Sequence, residues 1–176
     1  MTHAYLSPLL HKLRTGDDMK KVNFKTYTFW ILLAEGVGAL SGWLSRSGMK
    51  AYESAIVQPP LSPPSWLFPI VWAILYALMG IGAARIYKAP PGTDRSKSLN
   101  LLIIQLVVNF FWSLIFFNAQ AFGFALLWLV LLWTLVLWMI VEFRQVDTLA
   151  GNIQIPYLLW LTFAVYLNLG VWYLNK

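Results

Sequence analysis

The chain alternates between long apolar runs and short polar breaks. Five runs come near the roughly 20 residues that a helix needs to cross a bilayer: residues 27–44, 66–86, 99–117, 122–141 and 155–174. The breaks hold turn-forming residues, such as Ser45-Arg46-Ser47-Gly48 and Ala89-Pro90-Pro91-Gly92-Thr93-Asp94. Barrel strands would be shorter and would alternate apolar with polar positions; these runs are continuous. The pattern predicts an all-α integral membrane protein, a five-transmembrane-helix bundle over residues 27–176 behind a polar, basic tail at 1–26. The odd number of runs and the lack of an internal repeat argue against a simple duplicated transporter.

Composition reinforces this reading. Hydrophobic residues make up 59% of the 176 and charged residues 11%, whereas a soluble domain is about 25% charged. With no Cys in the chain, disulfides, thiolate catalysis and Cys-ligated metals are excluded. The two His residues, His3 and His11, precede the first apolar run, so no intramembrane His exists for a metal site, a haem ligand or a Ser-His triad. Residues 1–18 are assigned no function, because Met19-Lys20-Lys21 would also make a credible start. The first run lacks a small-residue cleavage site, which argues against a signal peptide.

The net charge of +6 fits membrane topology without nucleic acid as a partner. With the N-terminus cytoplasmic, that side collects Lys12, Arg14, Lys20, Lys21, Lys25, Arg85, Lys88, Arg95, Lys97 and Arg144, leaving Arg46, Lys50 and Lys176 opposite. Cytoplasmic loops concentrate Lys and Arg, so the expectation is N-inside, C-outside in a bacterial-type inner membrane.

Candidate chemistry lies on three runs and one loop. The connection 45–65 is long and ends in Gln58-Pro59-Pro60-Leu61-Ser62-Pro63-Pro64-Ser65-Trp66; its prolines make it stiff, either as a lid or as a rigid entry to the next span. Trp72, Tyr76 and Gly80 share a helix face, as do Gln105, Asn109 and Trp112, and Tyr157, Trp160, Ala164 and Asn168. Intramembrane amides seek the bundle interior, where they act as interhelical glue or as fixing groups of an aromatic pocket. Glu35 is the one clear intramembrane acid, too few for a proton pathway. Gly38 and Gly42 form a G-x-x-x-G spacing that suits internal packing or a dimer contact equally.

Taken together, Gln58-Pro59-Pro60, Pro63-Pro64-Ser65-Trp66, the run from Pro69 through Trp72 and Tyr76 to Gly80, Gln105 with Asn109 and Trp112, and Pro156-Tyr157-Leu158-Leu159-Trp160 with Leu167-Asn168 resemble the TspO/translocator protein family, the tryptophan-rich sensory proteins or peripheral-type benzodiazepine receptors. The resemblance implies a five-helix bundle, usually a homodimer, that binds porphyrins such as protoporphyrin IX and isoquinoline or benzodiazepine ligands, with no required cofactor and no metal. Matching positions place Trp66, Phe68, Trp72, Tyr76, Asn109, Trp112, Trp160, Ala164 and Leu167 at the pocket, with Phe124 and Leu127 as further candidates on the fourth span. Some bacterial members are reported to degrade porphyrin in light, and Trp72 and Trp160 match the tryptophans proposed to take part. Animal members place a Tyr where Leu169 stands here, which argues against cholesterol as the natural ligand.

The expected function is a porphyrin-binding receptor or sensor. A light-dependent porphyrin-degrading enzyme and a tetrapyrrole or sterol transporter are the alternatives. The porphyrin propionates need cations near the surface, which Arg46 or Lys50 would supply. Counting depth from residue 155, Trp160 is expected at the inner end of an elongated pocket, with Trp72 level with Ala164 or Leu167. The topology is testable by cysteine labelling of intact cells: Ser47→Cys should react with an impermeant reagent from outside and Ser96→Cys should not, and the reverse pattern overturns the orientation.

Overall fold

The computed structural model describes residues 6–176, with side chains from Phe24 onward. Part of the 1–26 tail, with the side chains of His3 and His11, therefore lies outside the described residues. Six α-helices follow in order: α1 (Leu6–Ala55), α2 (Leu67–Lys88), α3 (Thr93–Ser113), α4 (Phe122–Val146), α5 (Thr148–Asn152) and α6 (Ile155–Leu174). A π-helical turn, Leu114–Asn118, continues α3. Among the described residues four stretches are long and apolar enough to cross a membrane: Leu67–Lys88, Thr93–Asn118, Phe122–Val146 and Thr148–Leu174. The expected count of five is thus met by four on this measure. The exception is 27–44 within α1, whose apolar run is diluted by Glu35, Gly36, Gly38, Ser41 and Gly42.

Several boundaries differ from the sequence reading; α3, for one, begins at Thr93 rather than at 99. The first connection does not begin at Ser45, because α1 continues to Ala55. Ser41, Ser45, Gly48 and Tyr52 recur at helical spacing; Tyr52 packs on Phe116 and Phe117, and Gly48 lies against the Phe117 backbone. The connection that remains, 56–66, is consequently short. The fourth span continues past Val141 to Val146. The helix α6 has the expected bounds, Ile155–Leu174, but α5 precedes it, so the apolar stretch begins at Thr148. Asp147 opens α5 by accepting a hydrogen bond from the Ala150 N–H at 2.9 Å, an N-cap, and pairs with Arg85 at 2.7 Å. Burial works to raise this carboxyl, but the bonds from Arg85 and Ala150 outweigh it and hold Asp147 below the usual aspartate range. The stability from that lowering is present above the ordinary aspartate pKa and is lost as pH falls through the lowered value.

The helices form an incomplete ring. α1 lies along α2 and crosses α3, α3 lies along α4, and α4 lies along α6. Between α1 and α2 the fit is close: a Cβ on Gly80 would stand 2.4 Å from the Ile31 Cα, and one on Gly38 would stand 2.1 Å from the Tyr76 ring. The G-x-x-x-G spacing therefore faces inward, with Gly38 under Tyr76 and Gly42 beside open space. Buried amides tie the other helices. Gln105 donates to the Met79 sulfur at 3.6 Å and accepts from the Tyr157 hydroxyl at 3.1 Å. Gln154 reaches the Leu78 carbonyl at 3.1 Å, and Asn168 reaches that of Phe122 at 2.9 Å.

Gly80 and Gly36 make a matched pair for testing this packing. Gly80→Ala forces α1 off α2 and should cost about 1–3 kcal/mol, whereas Gly36, with nothing within 4 Å of a Cβ, should accept Ala with no loss. Thermal unfolding in mild detergent checks both; equal melting temperatures would contradict the close approach.

Candidate functional site

α2 and α6 barely meet through their backbones. Aromatic side chains span the gap: Phe68 meets Trp160 edge-on at 5.8 Å, and Trp72 meets Tyr157 at 6.1 Å. Because these helices splay while α1 holds α2 and α3, a cavity of about 980 Å³ opens among α1, α2, α3 and α6. That is at the upper end of the roughly 300–1,000 Å³ range of small-molecule pockets.

The cavity has a mouth, walls and a floor. Across the mouth runs the proline-rich connection, with Ser62, Pro63, Pro64 and Ser65 turned to it and Arg46, Lys50 and Glu53 of α1 at its side. The connection is fastened to α6 and the residue after it. Tyr166 donates to the Pro60 carbonyl at 2.9 Å, Asn175 exchanges two 2.9 Å bonds with the Val57 backbone, and Pro59 is buried on Gly170. Leu61 holds a φ of 66° at the turn between Pro59 and Ser62, a conformation that costs a non-glycine residue about 1–2 kcal/mol. Such fastening fits a rigid cover.

The walls are ring surfaces: Phe68, Trp72 and Trp160 on one side, Trp112, Phe116 and Phe117 on the other, with Ala164 and Leu167 between. Trp112 stacks on Phe116 at 5.1 Å and 24°. The π-helical turn brings both Phe116 and Phe117 to the cavity, where a π-bulge commonly marks a functional position. At the floor lie Glu35, Gly38, Tyr76 and Asn109. Asn109 donates to the Tyr76 hydroxyl at 3.0 Å, fixing the phenol over Gly38.

Of the expected site residues, Phe68, Trp72, Tyr76, Asn109, Trp112, Trp160, Ala164 and Leu167 line this one cavity. Three do not. Trp66 is the residue before α2 and is exposed. Phe124 and Leu127 are 54% and 70% exposed on the outer face of α4. The inward stripe of α4 is Phe122, Ala125, Leu129 and Leu132, packed against α3 and α6, so no α4 residue reaches the cavity. The expected depth of Trp160 is also corrected. It stands beside Phe68, one turn nearer the mouth than Trp72, which is level with Tyr157. Entry at Thr148 moves every α6 residue about two turns along the span.

The sequence reading left out most of the α1 wall. Glu35, Gly38, Gly42, Arg46, Met49 and Glu53 recur every three or four residues, a stripe that becomes visible once the helix is carried past Leu44. Among the described residues, no cluster of His, Asp or Glu suits a metal ion.

A match to the TspO/MBR family spans residues 30–174. The chain belongs to that family. It is 35% identical to the translocator protein of Homo sapiens over 144 residues, covering 80% of this chain and 85% of the relative. It is 34% identical to the tryptophan-rich protein TspO of Chlorobaculum tepidum over 155 residues, covering 85% and 96%. Protein CrtK of Rhodobacter capsulatus is 39% identical over 126 residues, covering 71% and 79%. As a TspO/MBR member with four apolar spanning helices, the chain is an integral membrane protein.

The Tyr76–Asn109 bond supplies a test of the floor. Tyr76→Phe removes the acceptor of a buried amide, and leaving such a group unsatisfied costs about 1–3 kcal/mol. Asn109→Leu in the Tyr76→Phe background should cost less than the two changes added separately. A strictly additive double-mutant cycle in thermal unfolding would show that the bond does not couple the helices.

Proposed function

We propose that this TspO/MBR member is a membrane receptor or sensor. It takes porphyrins of the protoporphyrin IX type, and isoquinoline- or benzodiazepine-type ligands, into the cavity beneath the proline-rich connection. The observation that carries the reading is the cavity itself: about 980 Å³, walled by Trp72, Trp112, Phe116 and Trp160, with Arg46 and Lys50 at its mouth. A flat macrocycle stacks on such rings, and its carboxylates meet the two cations in charge-assisted hydrogen bonds. Phe68, Tyr76, Asn109, Ala164 and Leu167 complete the proposed contact surface.

The same reading takes 27–44 of α1 as a fifth span, close-packed on α2, and sets the N-terminus on the cytoplasmic side of a bacterial-type inner membrane. A homodimer would join through outward helix faces, since Gly38 is occupied by Tyr76.

Titration of the purified protein in detergent with protoporphyrin IX, in darkness, tests the proposal by tryptophan quenching. Trp72→Ala removes a stacking surface and Ala164→Thr adds bulk and a hydroxyl at the wall. Each should weaken binding about fivefold or more, because lost stacking and overpacking typically cost on the order of 1 kcal/mol or more. If both variants stay folded and bind with unchanged affinity, the functional reading fails.

A further inference from the structure

Glu35 is a half-buried carboxyl that lines the cavity, on the stretch 27–44 proposed above as a fifth span. Ionisable groups within a membrane are costly and mark functional positions. Among the described residues Glu35 has neither an ion pair nor a hydrogen bond. The groups nearest it on the cavity side are Gly38, three residues along α1, and Tyr76, whose ring rests on Gly38 and which lies within electrostatic range of Glu35. The Asn109 amide donates to the Tyr76 oxygen and not to the Glu35 carboxyl. The cations of the mouth are remote: Arg46 is eleven residues further along the same helix, roughly 16 Å at 1.5 Å per residue. The cavity is thus polarised along its length, basic at Arg46 and Lys50 and acidic at the floor, with Glu53 the only acid at the mouth among its lining residues.

We infer that Glu35 forms a deep subsite for a basic nitrogen, selecting planar aromatic ligands that carry a protonated nitrogen at the edge that enters first. The inference rests on the proposal that the cavity takes flat aromatic ligands, and adds the charge of the group at its inner end. The ring walls accept any planar ligand through its faces; a cation at the floor additionally gains a charge-assisted hydrogen bond with the carboxylate. The neutral ligand of the same shape gains nothing there.

Acridine and 9-aminoacridine make the probe pair. They share the tricyclic plane, and at mildly alkaline pH the first is neutral and the second cationic. Both are titrated by fluorescence against the protein in neutral detergent, with protoporphyrin IX titrated against the wild type alongside. The expected result is a preference of about tenfold for 9-aminoacridine, as one charge-assisted bond supplies, which collapses to near unity in Glu35→Gln and survives in part in Glu35→Asp. Tryptophan emission and melting temperature report folding; should Glu35→Gln not fold, the Asp variant and the wild-type preference still decide. No preference in the wild type, or one that Glu35→Gln leaves intact, overturns the inference while bound acridine and protoporphyrin leave the cavity reading standing. If no planar ligand binds the wild type, both fall together.

Discussion

The bundle hinges on a layer of close contacts near Gly80. There α1 lies on α2 with Ile31 against a glycine that has no room for a Cβ. Met79, Gln105 and Tyr157 join α2, α3 and α6 at the same level through a chain of polar contacts. Lipid offers no hydrophobic drive for helices to associate, so close packing and interhelical hydrogen bonds must supply it. In this protein both are dense at this layer. Toward the proline-rich connection α2 and α6 splay and are bridged by rings, while Gly48 against Phe117 and Asn168 on Phe122 keep α1 and α6 fastened to their other neighbours.

The arrangement accounts for the dual use of the polar residues. Gln105 is satisfied from both sides and serves as glue alone. Asn109, one turn along the same face, is both glue and floor, because the cavity begins at its level. Asn168 fastens α6 to the start of α4 through Phe122, with its other side at the cavity. A single face of α3 thus passes from core to cavity wall within two turns.

Much of this was legible in the residues. Apolar run length marked the four spanning helices, and spacings of three and four placed Trp72, Tyr76, Asn109, Trp112, Trp160 and Ala164 on inward faces. What was hidden depended on partners distant in sequence. Ser45-Arg46-Ser47-Gly48 has the composition of a turn, but Gly48 meets the Phe117 backbone and the helix runs on. Asp147 and Thr148 look like loop, but Asp147 caps α5 and pairs with Arg85, so the apolar stretch holding Trp160 begins about two turns earlier than residue 155. Phe124 and Leu127 were carried over from the family pattern, and the stripe through Phe122, Ala125 and Leu129 turns them outward.

The seam between α2 and α6 has a kinetic consequence. Elsewhere the ring is closed by backbone packed on backbone; at the seam it is closed by Phe68 on Trp160 and Trp72 on Tyr157. Moving one helix past another takes microseconds to milliseconds, whereas a side chain at a surface changes rotamer in picoseconds to nanoseconds. At the Phe68–Trp160 end, where both rings are part-exposed, the barrier is one of ring reorientation, while the fully buried Tyr157 anchors the other end.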